Sequence, residues 1–222
     1  MFNCIVEIES IFFDSKWQIL TELSHAALSP TELAKKTGTS LPNISTQIRL
    51  LEALDFIEKE KLSNTLKGQP RKRYSLKKDF AYLIIGARSA IGKKMLRLDN
   101  ETMPFFTPWL INDNAVSFLL IKLFLEFEHQ MKEAISFGYL GRQEEEIEIL
   151  IIHDNPETLE MFHNKHMQRG DKNYRINAHI HTSEAFHNGL MANDPYFVNT
   201  LKKVFVINEK GGFLSIHKKG KK

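Results

Sequence analysis

Cysteine is nearly absent from this chain of 222 residues, which carries only Cys4. A lone thiol excludes an internal disulfide and is typical of a reducing cytoplasm. Long apolar runs are lacking too, because the most apolar stretch, residues 115–127, is interrupted by Lys122 and Glu126. That stretch is too short and too polar to span a bilayer, and no export signal is recognisable. We therefore expect a cytoplasmic protein that makes no membrane contact.

A large excess of one charge sign is also lacking, since the net charge is only +3. Its distribution is uneven: residues 1–98 hold 16 Lys and Arg against 10 Asp and Glu, whereas residues 99–222 hold 14 against 17. The hydrophobic content of 42% is enough for real cores and excludes a disordered chain. We predict a basic domain at 1–98, a linker at 99–113 and a second domain at 114–217. Phosphates would be bound by the first.

Residues 29–57 predict two short helices joined by a tight turn. Ser29 and Pro30 are typical of a helix start, Gly38 ends that helix, and Ser40 caps the next one. The second helix has apolar residues at helical spacing, which must face a core; they are Ile44, Ile48, Leu51 and Leu54.

The opposite face of this second helix is short, hydrogen-bonding or cationic. It consists of Pro42, Asn43, Thr46, Gln47 and Arg49. Such a face can lie in a DNA groove, with Asn43, Thr46 and Gln47 on base edges and Ser40 and Arg49 on the backbone. The alternative is an ordinary helical hairpin with a solvated polar face.

A basic hairpin is predicted directly after this helix. Residues 56–62 alternate as a strand, residues 63–70 are rich in turn formers, and residues 71–76 return as a second strand. Six cations lie on it and are predicted to contact phosphates: Lys59, Lys61, Lys67, Arg71, Lys72 and Arg73. Alternatively, these cations only protect a solvated edge strand.

Together these elements resemble the ArsR/MarR-like winged helix-turn-helix regulators. The resemblance lies in residues 44–48 and 51–54, and the glycine that usually follows is replaced by Asp55, a residue that also tolerates unusual turn conformations. It implies a transcriptional regulator that binds double-stranded DNA as a homodimer. Residues 5–25 are predicted as a helix. Residues 78–98 are predicted as a dimerisation helix, with one side formed by Phe80, Leu83, Ile84, Ala87 and Ile91.

The second half alternates between helix and strand. The patterns predict helices at 115–134, from 155 to about 168 and from 183, strands at 135–140, 147–152 and 176–181, and a closing hairpin at 204–216. The nearly continuous apolar run at 147–152 predicts a strand buried on both faces of a mixed sheet.

This order resembles the minimal nucleotidyltransferase domains. That family uses a Gly-Ser pair after the first strand to cradle a triphosphate, and an Asp-x-Asp on the next strand to bind magnesium. The matching positions are Gly138 and Tyr139, then Glu146 and Glu148. Tyrosine replaces the small hydroxyl, both aspartates are glutamates, and no third acid follows. The resemblance therefore implies a degenerate domain, in which Glu146 and Glu148 are relics of a catalytic pair.

Four histidines form two pairs, His163 with His166 and His179 with His181. The first pair has helical spacing and the second shares a strand face, so the four can bind zinc or nickel if the pairs converge. Nothing in the spacing brings them together. We expect surface or hydrogen-bonded histidines and no metal or cofactor.

The sequence thus predicts an α+β protein, a winged helix followed by a mixed α/β nucleotidyltransferase-like domain. Its predicted function is transcription regulation, with the second domain sensing a small molecule or nucleotide or serving in assembly. One alternative is a magnesium-dependent nucleotidyltransferase, with Gly138, Glu146 and Glu148 in its site and the winged helix holding a substrate. Another is a winged helix that contacts only proteins.

Overall fold

The computed structural model describes residues 14–61, 72–155, 159, 161–162 and 165–219. The chain forms two compact units, Met1–Arg97 and Leu98–Lys222. Helices and strands occur in both units, so the predicted α+β class is confirmed. In the described residues no helix is long and apolar enough to cross a membrane.

The described residues of the first unit form three helices followed by two antiparallel hairpins. The helices are α1 (Asp14–His25), α2 (Pro30–Thr37) and α3 (Leu41–Ala53), and the strands are β1 (Ile57–Lys61), β2 (Lys72–Leu76), β3 (Phe80–Ala87) and β4 (Ala90–Arg97). The helix predicted at 5–25 is confirmed from residue 14 onward; its earlier part lies outside the described residues.

One apolar core joins the three helices to the first hairpin. Its most deeply buried members, each at most 4% exposed, are Ile19, Leu20, Leu23, Leu33, Ile44, Ile48, Leu51, Phe56 and Ile57. An isolated β-bridge ties the α1–α2 connection to the hairpin: Leu28 N–H donates to Tyr74 O at 2.9 Å, and Tyr74 N–H donates to Leu28 O at 2.8 Å. The hairpin is thereby fixed to the helices at its base.

The dimerisation helix predicted at 78–98 is wrong, because this stretch is the β3–β4 hairpin. Its apolar residues do recur at helical intervals, but Tyr82, Ile84 and Ile85 have strand propensity and Gly86 and Gly92 disfavour a helix. The strands pair from Phe80↔Arg97 to Ala87↔Ala90.

The second unit is a five-stranded mixed sheet with helices on both faces. Its strands are β5 (Ser136–Gln143), β6 (Glu146–Ile152), β7 (Lys165–Arg169), β8 (Lys172–His181) and β9 (Phe205–Glu209). Its helices are α4 (Met103–Phe106), a 3-10 turn (Thr107–Leu110), α5 (Asn114–Glu126), α6 (Glu128–Glu133), α7 (Ser183–Met191), α8 (Pro195–Lys203) and α9 (Phe213–Lys219).

The strand order is β7-β8-β6-β5-β9, with β6 and β8 parallel and the other pairs antiparallel. The predicted buried central strand is confirmed, because β6 packs on both faces. Ile147, Ile149 and Ile151 join one core with α5 and α6, whereas Leu150 and Ile152 join another with α7, α8 and α9.

Residues 99–113, expected as a linker, instead begin the second unit's core. They hold α4 and the 3-10 turn, in which Pro104, Thr107 and Pro108 are buried. Phe105 packs edge-on against Phe124 of α5, with ring centroids 5.3 Å apart.

Three other expectations differ from the structure. The helix predicted at 115–134 breaks at Phe127 into α5 and α6. The helix predicted to reach residue 168 is wrong at its end, where 165–169 form strand β7 against β8. The predicted closing hairpin is half wrong, since β9 is a strand but Phe213–Lys219 is a helix. Glu209 explains that last difference, because its carboxylate accepts hydrogen bonds from the N–H groups of Leu214 and Ser215 in the first turn of α9.

Gly138 lies inside β5, where β9 approaches closely. A Cβ placed there would collide with a methyl group of Val204 and lie 3.1 Å from the carbonyl oxygen of Phe205. Absence of a side chain at 138 is therefore a packing requirement.

We predict that Gly138→Ala lowers the free energy of unfolding of the second unit by about 1–3 kcal/mol, as overpacking does. Denaturant titration measures it. Val204→Ala removes the colliding methyl groups, so the double variant should be less destabilised than the two single losses combined. Simple additivity would contradict the collision as the cause.

Candidate nucleic-acid interface

Helix α2 is held at both ends by its own side chains and turn. Ser29 accepts from Glu32 N–H at 3.3 Å, and Glu32 Oε2 accepts from Ser29 N–H at 2.8 Å, which completes a capping box. At the other end Gly38 has φ +66°, a conformation that favours glycine. The predicted start and end of this helix are confirmed, and together they fix the turn into α3.

Helix α3 buries one face and exposes the other. Ile44, Ile48 and Leu51 are at most 2% exposed. The predicted contact residues Ser40, Pro42, Asn43, Thr46 and Arg49 are all exposed, and Gln47 is half-buried. The backbone of Ser40 has the extended conformation of an N-cap, but its side chain makes no capping hydrogen bond, so the hydroxyl remains available to another acceptor or donor.

The polar face of α3 is internally ordered. Gln47 Nε2 donates to Asn43 Oδ1 at 3.1 Å, one turn apart. Thr46 Oγ1 donates to the Pro42 carbonyl at 3.1 Å. The amide pair uses one donor and one acceptor in this bond and retains others for a ligand.

The β1–β2 hairpin lies at the C-terminal end of α3 as a wing. Lys59 Nζ donates to Glu52 Oε1 at 2.9 Å, which links β1 to the last turn of α3. This hydrogen bond raises the pKa of Lys59 above its usual value, so the ammonium stays charged. The link is exposed and contributes little stability by itself.

The six predicted wing cations fall into three groups. Lys67 and Arg71 lie outside the described residues, as does the side chain of Lys61. Lys59 and Arg73 are engaged with glutamates. Lys72 is exposed and makes no ion pair within the part of the chain that the structure describes.

Arg73 reaches back to the start of α2. Its Nη2 lies 3.4 Å from Glu32 Oε1, the second oxygen of the capping-box carboxylate. Both side chains are about two-fifths exposed, so this pair is weak and remains within reach of solvent and of phosphates.

Asp55 makes the sharp turn from α3 into the wing. Its φ is +65°, in the left-handed region that asparagine and aspartate tolerate better than other non-glycine residues. Its carboxylate accepts a hydrogen bond from Lys77 and one from Lys78, the latter at 3.0 Å. These bonds lower the pKa of Asp55, with the Lys77 bond as the largest cause. The sequence predicted the turn but not the two lysine partners.

Part of the first unit is similar to a known protein family. Residues 14–64 match the MarR family. That family comprises DNA-binding transcriptional regulators, so the match supports the predicted winged helix-turn-helix. No curated protein matches the chain.

In the second unit, polar side chains gather at one end of the sheet face that α7, α8 and α9 cover at the other end. Strand β8 alternates, burying Tyr174, Ile176 and Ala178 on the first core. Its other residues therefore point to the opposite face, and the parallel register places them beside those of β6 as Glu146↔Arg175, Glu148↔Asn177, Leu150↔His179 and Ile152↔His181. We name Glu146, Glu148, Arg175 and Asn177 the polar end of the sheet; His179 and His181 lie farther along β8, against α8.

Next to it is an open pocket of about 600 Å³. The pocket is lined by Gln143, Glu144, Glu145, Glu146, His166, Asn173 and Arg175.

The residues matched to the nucleotidyltransferase motif do not form a phosphate cradle. Gly138 and Tyr139 lie within β5 and not in a turn after it, and Val204 fills the space beside Gly138. Strands β5 and β6 are joined by a two-residue turn, Glu144-Glu145. The positions that match the family's Gly-Ser pair are therefore part of a strand.

The two glutamates do not fit a magnesium pair either. The carboxylate of Glu146 accepts a hydrogen bond from the guanidinium of Arg175 and is neutralised by it. The β8 neighbours of Glu148 are asparagine and histidine and supply no third carboxylate. Magnesium prefers several hard oxygen ligands, so these residues do not suit it.

The histidine pairs do not converge in the described structure. His163 lies outside the described residues, and His166 is on β7 opposite Arg175. His179 is four residues further along β8, roughly 13 Å away at strand rise. Among the described residues no three His, Cys, Asp or Glu side chains come together as a metal site.

His179 and His181 share Tyr196, a residue that the sequence did not indicate. The Tyr196 hydroxyl lies 2.9 Å from His179 Nδ1 and 2.9 Å from His181 Nε2. One hydroxyl proton can serve only one ring, so the other ring must donate its N–H. Burial raises the pKa of Tyr196, which keeps the hydroxyl protonated. The alternation of residues along β8 could have grouped Arg175 with the two histidines. No local sequence pattern indicates Tyr196, because it lies on α8.

Substitutions at Asp55 separate backbone strain from charge. We predict that Asp55→Ala lowers the free energy of unfolding of the first unit by about 1 kcal/mol, because alanine resists a positive φ. Asp55→Gly should stay close to wild type, since the exposed ion pairs contribute little. Thermal unfolding measures both. Equal losses in the two variants would assign the effect to the lysine contacts instead.

His181 predicts a pH dependence of stability. Burial lowers its pKa below the usual 6.5, with the charge of His179 as a smaller cause. As pH falls from 6.5 toward the lowered value, the unfolded chain takes up a proton that the folded chain resists, so the free energy of unfolding decreases. Urea titrations at several pH values should show a shallower dependence in His181→Gln. His166→Gln, which removes an exposed imidazole from β7, is the matched control; identical slopes in the two variants would contradict the assignment.

Proposed function

We propose that the chain is a cytoplasmic, dimeric, DNA-binding transcriptional regulator. The observation that carries the proposal is the MarR-matching winged helix, in which α3 buries one face and presents a short polar face beside a wing. The second unit serves as a sensing or assembly module.

The bases are read chiefly by Asn43 and Gln47. Carboxamides pair with the N6 and N7 edge of adenine in the major groove, and the Asn43–Gln47 hydrogen bond holds the two amides side by side before DNA arrives. The Thr46 hydroxyl donates to the Pro42 carbonyl. Its methyl group remains for an apolar contact with the methyl group of thymine. The proposed site is therefore rich in A·T pairs under α3.

The DNA backbone is held by Ser40 and Arg49 on α3 and by the wing. Lys72 is exposed and ready for a phosphate. Lys59 and Arg73 can exchange their glutamate partners for phosphate, because exposed ion pairs are weak. Lys61, Lys67 and Arg71 belong to the proposal on sequence grounds.

The resemblance of the second half of the sequence to nucleotidyltransferases gives catalysis little support. Arg175 neutralises Glu146 and Val204 occupies the place of a phosphate cradle. The polar end of the sheet instead suits an uncharged or zwitterionic small molecule, which would act as an effector of DNA binding; a nucleotide effector belongs to the proposal on sequence grounds.

The test is DNA binding by the full chain to fragments upstream of its own coding region, titrated against salt. We expect selective binding that weakens steeply with salt. Gln47→Ala should lose about 1–3 kcal/mol of discrimination between the selected site and a scrambled one. Lys72→Ala should weaken both about equally and reduce the salt slope by about one ion.

Lys202→Ala, in α8 of the second unit, is the matched control: it removes the same charge and should change neither quantity. No binding at low salt, or equal effects from Gln47→Ala and Lys72→Ala, would contradict the roles proposed for the two residues in base and phosphate contact. Repeating the titration with nucleotides tests the sensing module, and an unchanged affinity would argue against a nucleotide effector.

A further inference from the structure

The β3–β4 hairpin, which we call the ribbon, packs at its base on the core of the first unit. Phe80 packs edge-on against Phe56, with centroids 4.9 Å apart, and Met95 packs on the same core. Farther out the ribbon carries large exposed apolar side chains: Ile84 is 76% exposed, Ile85 57% and Ile91 91%.

These isoleucines need cover on both faces of the ribbon. Ile84 and Ile85 are consecutive, so they point to opposite faces. A layer packed on one face would leave the other exposed. A two-stranded sheet is also marginally stable in water, and within the described residues the ribbon has no third strand. Pairing with another strand at one edge would give the isoleucines apolar neighbours on both faces at once.

The two edges of the ribbon differ in charge. Strand β3, residues 80–87, has no charged side chain, whereas β4 carries Lys93, Lys94 and Arg97. Lysines on an edge strand discourage pairing with another strand. The β3 edge is thus the one suited to accept a partner.

We propose that β3 pairs antiparallel with β3 of a second copy of this chain, forming a four-stranded sheet in the order β4-β3-β3-β4. A two-fold axis makes such a contact self-complementary, and the uncharged strands meet without like-charge repulsion. The charged β4 strands lie at the outer edges, where they protect the assembly. The inference rests on the proposed function in one respect, namely that the regulator is a dimer.

The axis must pass near the middle of β3. A two-fold perpendicular to the sheet maps each face onto itself, so one residue near the centre lies opposite its own counterpart. Leu83, Ile84 and Ile85 are the candidates, and the two isoleucines then gain cross-strand apolar neighbours on both faces.

Disulfide crosslinking locates this axis. In a full chain with Cys4→Ser, we expect one of Leu83→Cys, Ile84→Cys and Ile85→Cys to form a covalent dimer rapidly, because opposed Cα atoms in such a sheet are about 4.5–5.5 Å apart. Ile91→Cys is the control. It is the most exposed of the set, but in the four-stranded sheet its two copies lie roughly 14 Å or more apart.

Sedimentation measures the same contact without crosslinking. Ile84→Lys places like charges at the axis and should raise the dimer dissociation constant by about tenfold or more. Ile91→Lys adds the same charge on β4, at an even more exposed position, and should leave the dissociation constant close to wild type.

Fast crosslinking of Ile91→Cys, no crosslinking within 83–85, or a dimer unaffected by Ile84→Lys would overturn the proposal. A wild-type chain that stays monomeric would overturn it as well. Selective DNA binding by such a monomer would leave the DNA-binding role standing without the dimer, whereas a β3-paired dimer with no DNA binding would refute that role and leave this inference intact.

Discussion

Burial of a single stripe of α3 is the constraint on which the first unit depends. Ile44, Ile48 and Leu51 are withdrawn from water by α1, α2 and the base of the wing, and burial of each such side chain contributes about 1.5–3 kcal/mol. That stripe fixes the rotation of α3 about its own axis. The polar residues of α3 are therefore exposed because of where the apolar ones must lie, and the proposed DNA-facing surface follows from the core.

Burial of apolar residues also determines which part of the sheet is covered in the second unit. Strand β6 is apolar along its last four residues and is covered on both faces there, but its first residues alternate with glutamates and are covered on one face only. The helices α7, α8 and α9 pack on the apolar part of that face and leave the polar end of the sheet uncovered. The polar end of the sheet is thus open because the first residues of β6 are not all hydrophobic.

The winged helix could be predicted well from the sequence, because capping residues, a left-handed glycine and one apolar stripe all act locally. The ribbon could not, since Phe80, Leu83, Ile84 and Ala87 satisfy helical and strand spacing alike, and the decision rests with Phe56 and the rest of the core. In the second unit the strands β5, β6 and β8 were recognisable from their apolar runs. Strand β7 was not, because an edge strand such as Lys165–Arg169 has few apolar residues and depends on its pairing with β8.

The candidate site residues also divide into those that a local pattern predicts and those that depend on distant elements. Asn43, Thr46 and Gln47 were predictable from one helix face. The partners that occupy Arg73, Glu146 and His179 come from other elements, and no local spacing reveals them. Long-range side-chain pairing is the part of a site that a single sequence conceals.

Glu32 shows how narrowly such pairing can restrict a position. One carboxylate oxygen accepts from the Ser29 backbone and hydroxyl, and the other faces Arg73 on the wing. Glutamine would keep the reach of the cap but lose the charge that attracts the guanidinium, and aspartate would keep the charge but lose the reach. Glu32 is partly exposed, and its accessibility alone would allow many substitutions, but these two contacts together favour glutamate.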